Sequence, residues 1–118
     1  MQFSLLTSFP DELESSWNLL LDESITHVPF LRFEYLRAWW QTRGGGEWPQ
    51  AELALVIARE DERLVGIAPL FLATNRQNKP ALLVVGSIEI TDYLDFIARE
   101  VDLYAFIDEL LPFLDKAL

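Results

Sequence analysis

Two long apolar runs joined by four charged residues constrain this chain more than any other feature. From Glu52 to Arg59 the apolar residues are almost continuous, Glu60-Asp61-Glu62-Arg63 follows, and Leu64 to Thr74 is apolar again. Continuous apolar runs suit strands covered on both faces, and a charged break between them suits a solvated turn. They predict a β-hairpin. Gly66 and Pro69 interrupt the second run. Proline has no N–H to give a ladder and glycine has no side chain to pack, so Pro69 predicts an edge or a bulge and Gly66 a bend nearby.

The strands continue. Asn75 to Pro80 read as a polar turn and Ala81 to Gly86 as a third strand. A fourth candidate runs from Ile88 to Ala98, where Ile88, Ile90, Leu94 and Phe96 point one way and Glu89, Thr91, Tyr93 and Asp95 the other. Asp92 falls on the apolar side. The centre of the chain, from about Glu52 to Ala98, therefore reads as an antiparallel β-meander.

Helical patterns flank it. Gln2 to Thr7 suit a short opening strand, and Ser8-Phe9-Pro10-Asp11 has the S-x-x-D form of an N-terminal helix cap. Phe9, Leu13, Trp17, Leu20 and Leu21 then recur at helical spacing, leaving Glu12, Glu14, Ser15, Asn18 and Asp22 on the wet face. A second helix is predicted over Leu31 to Arg43, with Phe33, Leu36 and Trp40 about one turn apart, and Gly44, Gly45 and Gly46 end it. Asp102 is placed to cap a last helix carrying Leu103, Phe106, Ile107, Leu110 and Leu114 on one face, and Pro112 predicts a kink or a division within it. The fold class is α/β (α+β), in the order β-α-α-β-β-β-(β)-α. At 118 residues it forms one domain.

Charge narrows the partners. The chain has nine basic and nineteen acidic residues, a net charge of −10, which repels polyanions; nucleic acid and anionic membrane surfaces are excluded as expected partners, whereas a cationic amine is attracted. There is no cysteine, hence no disulfide and no thiolate chemistry. No apolar run approaches the roughly 20 residues that span a bilayer. The expectation is a cytoplasmic protein.

Several residues invite a functional reading and carry a plainer one. Gly44 to Gly46 follow a helix instead of opening one, which argues against a phosphate cradle. His27, the one histidine, stands in a predicted loop with no acid fixed beside it. Ser87 lacks the G-x-S-x-G elbow and a nearby histidine. Glu60, Asp61 and Glu62 read as a solvated hairpin tip, and Trp17, Trp39 and Trp40 read as core. The constellation that carries chemistry is Asp92, Tyr93 and Asp95. In a regular strand Asp92 projects among Ile90 and Leu94, where an unpaired carboxylate costs several kcal/mol and needs a partner or water. Either a bulge near Thr91 turns it outward, or it contacts a substrate amine.

Three segments in order, "PFLRFEYLRAWW" from Pro29, "RLVGIAPLFL" from Arg63 and "LLVVGSIEITDYLDF" from Leu82, resemble the N-terminal part of the BioF2-like or CelD-like acetyltransferase domain. That domain is a branch of the GNAT superfamily related to FemAB-type aminoacyl transferases. The matching positions are Phe30, Glu34, Tyr35, Leu36 and Trp39, then Gly66, Pro69 and Leu70, then Gly86, Asp92, Tyr93 and Asp95. The resemblance implies the first portion of an acyl-CoA-dependent N-acyltransferase. It also implies acetyl-CoA or another acyl-CoA as cofactor of the whole protein and an amine-bearing small molecule as acceptor, with Asp92, Tyr93 and Asp95 at the acceptor wall. The family's Q/R-x-x-G-x-G/A turn for the CoA pyrophosphate is missing between Gly86 and the last helix, so no cofactor is expected on this portion alone. A homodimer, or pairing of the later sheet edge with a C-terminal half, is the expected association. The other class of function is a stand-alone half-GNAT interaction module that self-associates through a sheet edge.

Overall fold

The hairpin read from the two apolar runs is the spine of the molecule. In the computed structural model, which describes residues 1–24, 31–43, 51–74, 80–84 and 96–117, strand β2 (Ala51–Glu60) pairs antiparallel with β3 (Arg63–Thr74). Asp61, in the turn between them, has a φ of 57°, a left-handed conformation that aspartate tolerates better than most residues. Strand β1 (Gln2–Leu6) flanks β2, and β4 (Pro80–Val84) flanks β3, giving the antiparallel order β1-β2-β3-β4. The first three strands of the predicted meander are present as β2, β3 and β4.

Alternation sorts the side chains of β2 cleanly. Leu53, Leu55 and Ile57 join one apolar cluster, while Val56 and Ala58 join another on the opposite face. The first cluster is closed by α1 (Glu14–Glu23) and α2 (Phe33–Arg43) through Trp17, Leu20, Leu21, Phe33 and Leu36. The second is closed by α3 (Glu100–Ala117) through Phe106 and Leu110. The sheet thus lies between two helical layers, in a mixed α+β fold.

The register slips once. Ala58 faces Gly66 and Arg59 faces Leu64, so Val65 has no counterpart on β2. Leu64 and Ile67 belong to the α1/α2 side and Val65 to the α3 side, and the missing side chain of Gly66 also points at α3. The bend expected near Gly66 is this bulge.

Pro69 departs from expectation. It lies inside β3, opposite Leu55 on β2, at neither the bulge nor the end of the strand. On the other flank, β4 ends with Val84 opposite Leu70, and a further strand β5 (Ile97–Ala98) starts with Ile97 opposite Ile67. Among the described residues Pro69 therefore has a ladder neighbour on one side only, a place that suits a residue without an N–H. Of the fourth strand predicted over Ile88 to Ala98, only its last two residues fall in a described strand.

The helix termini also differ from their local signals. Ser8 does not cap α1: a short 3-10 turn, Asp11–Leu13, precedes the helix, its cap position is Pro10, and no side chain closes it. Asn18, expected on the wet face, is half-buried and accepts a hydrogen bond from the Phe33 N–H at 3.0 Å, capping α2 from α1. The last helix starts at Glu100, ahead of Asp102, and runs unbroken through Pro112. Pro112 is exposed, so water can take the hydrogen bond that the Asp108 carbonyl loses.

Candidate functional site

β5 is short, but its two rungs on Gly66 and Ile67 fix where the chain enters α3. Arg99 follows directly. Its carbonyl accepts the Asp102 N–H at 2.9 Å, closing the first turn, and its guanidinium stands 3.5 Å from Asp102 Oδ2 and 3.7 Å from Glu23 Oε2 on α1. Arg99 Nε and Asp102 Oδ2 are both shut off from solvent and neither forms a hydrogen bond among the described residues. Opposite charges without hydrogen-bond geometry recover only part of their desolvation cost.

Arg99 forms one wall of a cleft of about 280 Å³ between α1 and the tip of the β2–β3 hairpin, lined also by Leu19, Leu20, Glu23, Glu62 and Arg63. Two guanidiniums and two carboxylates surround an apolar floor. Arginine stays protonated at any ordinary pH and can only donate, while the two carboxylates supply the acceptors, so this set can bind and orient a small polar molecule. Among the described residues no group of three or more His, Cys, Asp or Glu stands together as a metal site. Sequence reading had not singled out Arg99; the i, i+3 spacing of Arg99 and Asp102 just after the apolar Ile97-Ala98 pair was the available signal.

The residues named as the acceptor wall, Asp92, Tyr93 and Asp95, lie outside the described residues, as do His27, Ser87, Gly86, Phe30 and Gly44 to Gly46. What the structure does locate is the anchorage of the segment that carries Asp92, Tyr93 and Asp95. β4 and β5 run in the same direction along the same flank of β3, and the partners of Val84 and Ile97 are Leu70 and Ile67. The ladder between them has room for two rungs, opposite Pro69 and Ala68, whereas residues 85 to 96 stand there in the chain. At the later end Phe96 packs edge-on to Phe106, with ring centroids 6.2 Å apart. The two ends of the segment are thus held on the same flank of β3.

Glu34, one of the positions carried by the resemblance, has a structural task. Its carboxylate accepts Arg32 Nε at 2.7 Å and Asn18 Nδ2 at 2.8 Å. These bonds, that to Arg32 first, lower its pKa from 4.5 to about 2. With Asn18 also capping Phe33 and Trp17 Nε1 donating to the Leu31 carbonyl at 2.9 Å, α1 grips the start of α2 by three side-chain hydrogen bonds. Tyr35 is exposed, Trp39 and Trp40 pack half-buried against Phe71, and Leu36 is core.

No family model, no curated protein and no solved structure matches the chain.

Proposed function

We propose that the chain is the N-terminal portion of a GNAT-fold, acyl-CoA-dependent N-acyltransferase, supplying scaffold and one wall of the acceptor site. The observation that carries this reading is the order of elements. A strand, two helices, an antiparallel meander and a helix follow one another, as in the opening of that fold. Support also comes from the rungs on β3 that hold the two ends of the segment bearing Asp92, Tyr93 and Asp95. In this reading the acceptor amine forms a bond to the thioester carbonyl carbon, the carbon–sulfur bond breaks, the amine gives up a proton and the CoA thiolate leaves. Positioning provides most of the rate. The CoA pyrophosphate turn and the base belong to a later portion.

Two measurements test it. Titration of acetyl-CoA into the 118-residue chain should give no saturable heat; stoichiometric binding would overturn the placement of the cofactor site. The product of the reading frame that continues past Leu118 should release CoA thiol in the presence of amines, and Asp92→Asn should slow that release. A folded, longer product that turns over no acyl-CoA with any amine overturns the enzyme reading.

A stand-alone interaction module is the second reading. It is favoured by the outward stripe of α3, where Val101, Tyr104 and Leu111 are 87%, 78% and 64% exposed. A stop codon directly after Leu118 supports it.

A further inference from the structure

Edge strands in monomeric proteins are ordinarily guarded by charge, proline, a bulge or a covering element, because an open row of N–H and C=O groups recruits another strand. β1 has no such guard. Its sequence, Gln2-Phe3-Ser4-Leu5-Leu6, contains no ionisable side chain and no proline, and its five rungs on β2 run without a register slip. Among the described residues β1 has no ladder partner on its outer flank. Beside that flank lies a band of half-buried apolar side chains, namely Met1, Phe3 and Leu5 of the opening strand with Phe113 and Leu114 of α3.

We propose that β1 is the interface at which a second copy of this chain pairs, edge to edge and antiparallel about a two-fold axis at Ser4. The strand is self-complementary in that register. Ser4 meets Ser4 of the second copy on the α1/α2 side of the sheet, and Phe3 meets Leu5 and Leu5 meets Phe3 on the α3 face. Such aromatic–aliphatic cross-strand pairs are the favourable ones. Charge selects the same place. Two chains of net charge −10 repel, and the uncharged β1 is where they approach at least cost. The sheet then continues through both copies with the two α3 helices on one side. The proposal rests on β1 alone and holds whether or not the acyltransferase reading does.

Sedimentation equilibrium from about 10 µM to about 1 mM should show a monomer–dimer equilibrium. Ser4→Lys sets two like charges against each other at the axis and should weaken the dimer by about tenfold or more, while Ser15→Lys, on the exposed face of α1, leaves it unchanged. Circular dichroism establishes that both variants fold. Because the chain has no cysteine, Ser4→Cys gives a single thiol at the axis, and mild oxidation should yield a covalent dimer that Ser15→Cys does not form at the same concentration. A chain that stays monomeric throughout, or a dimer indifferent to Ser4→Lys and without preferential crosslinking at Ser4→Cys, overturns the proposal and leaves the edge to a different partner.

Discussion

Gly66 and the ring of Phe106 are in such close approach that a side chain on the glycine has nowhere to go: an ideal Cβ would lie 2.7 Å from Cε1 and 2.8 Å from Cγ of Phe106. The ring cannot easily retreat, since it stacks on Phe3 at 5.6 Å and meets Phe96 edge-on. Gly66→Ala should therefore destabilise the protein by about 2 to 3 kcal/mol through overpacking, read as a lower midpoint in urea. Phe106→Leu in the same chain should recover part of that loss, with a coupling of about 1 kcal/mol or more in a double-mutant cycle.

Asn18 caps α2 from a different helix. Asn18→Ala leaves the Phe33 N–H without its acceptor and Glu34 without one donor, and should cost about 1 to 2 kcal/mol. Faster amide exchange confined to the first turn of α2 distinguishes this from a loss of core packing.

The Glu34 carboxyl is held near 2 in the folded protein and titrates near 4.5 when unfolded. A group with a depressed folded pKa contributes its stability above the unfolded value and loses it as pH falls. Unfolding free energy should thus decline between about pH 4.5 and 2 by about 1 kcal/mol or less from this group, because its ion pair with Arg32 is nearly half exposed. Glu34→Gln should flatten that part of the pH profile and leave the midpoint above pH 6 lower than in the parent.

Trp17 is fully buried, and its indole N–H occupies the carbonyl of Leu31. Trp17→Phe retains an aromatic ring but strands that carbonyl, with an expected cost of about 1 to 3 kcal/mol in chemical denaturation.

Asp61 adopts its left-handed φ at the hairpin tip. Asp61→Val places a β-branched side chain there and should cost about 1 to 2 kcal/mol, whereas Asp61→Gly should be close to neutral; thermal midpoints of the two variants provide the comparison.

The hairpin was legible because its apolar runs and charged turn are local patterns, and β2 and β3 begin within one residue of where Glu52 and Leu64 placed them. Gly66 signalled a bend for the same reason, and the bulge beside it is that bend. Ser8 misled because its motif says nothing of the 3-10 turn that intervenes, and the true cap of α2 stands on another helix, fifteen residues away. Pro69 reads from sequence as an edge or a bulge because sequence cannot show that β4 and β5 divide one flank of β3 between them. The Arg99 cleft escaped notice since Glu23 and Arg63 reach it from distant elements. For Asp92, Tyr93 and Asp95, structure adds the fixed ends of their segment.

Those fixed ends also make the sheet a mounting point for grafted peptides. Val84 and Ile97 are pinned to partners three residues apart on β3, about 10 Å along the strand. A flexible segment grafted between them begins and finishes three rungs apart on one strand, and doubling its length adds only about 0.6 kcal/mol of closure entropy. A foreign peptide can consequently be mounted on these two rungs while the core beneath them stays the same.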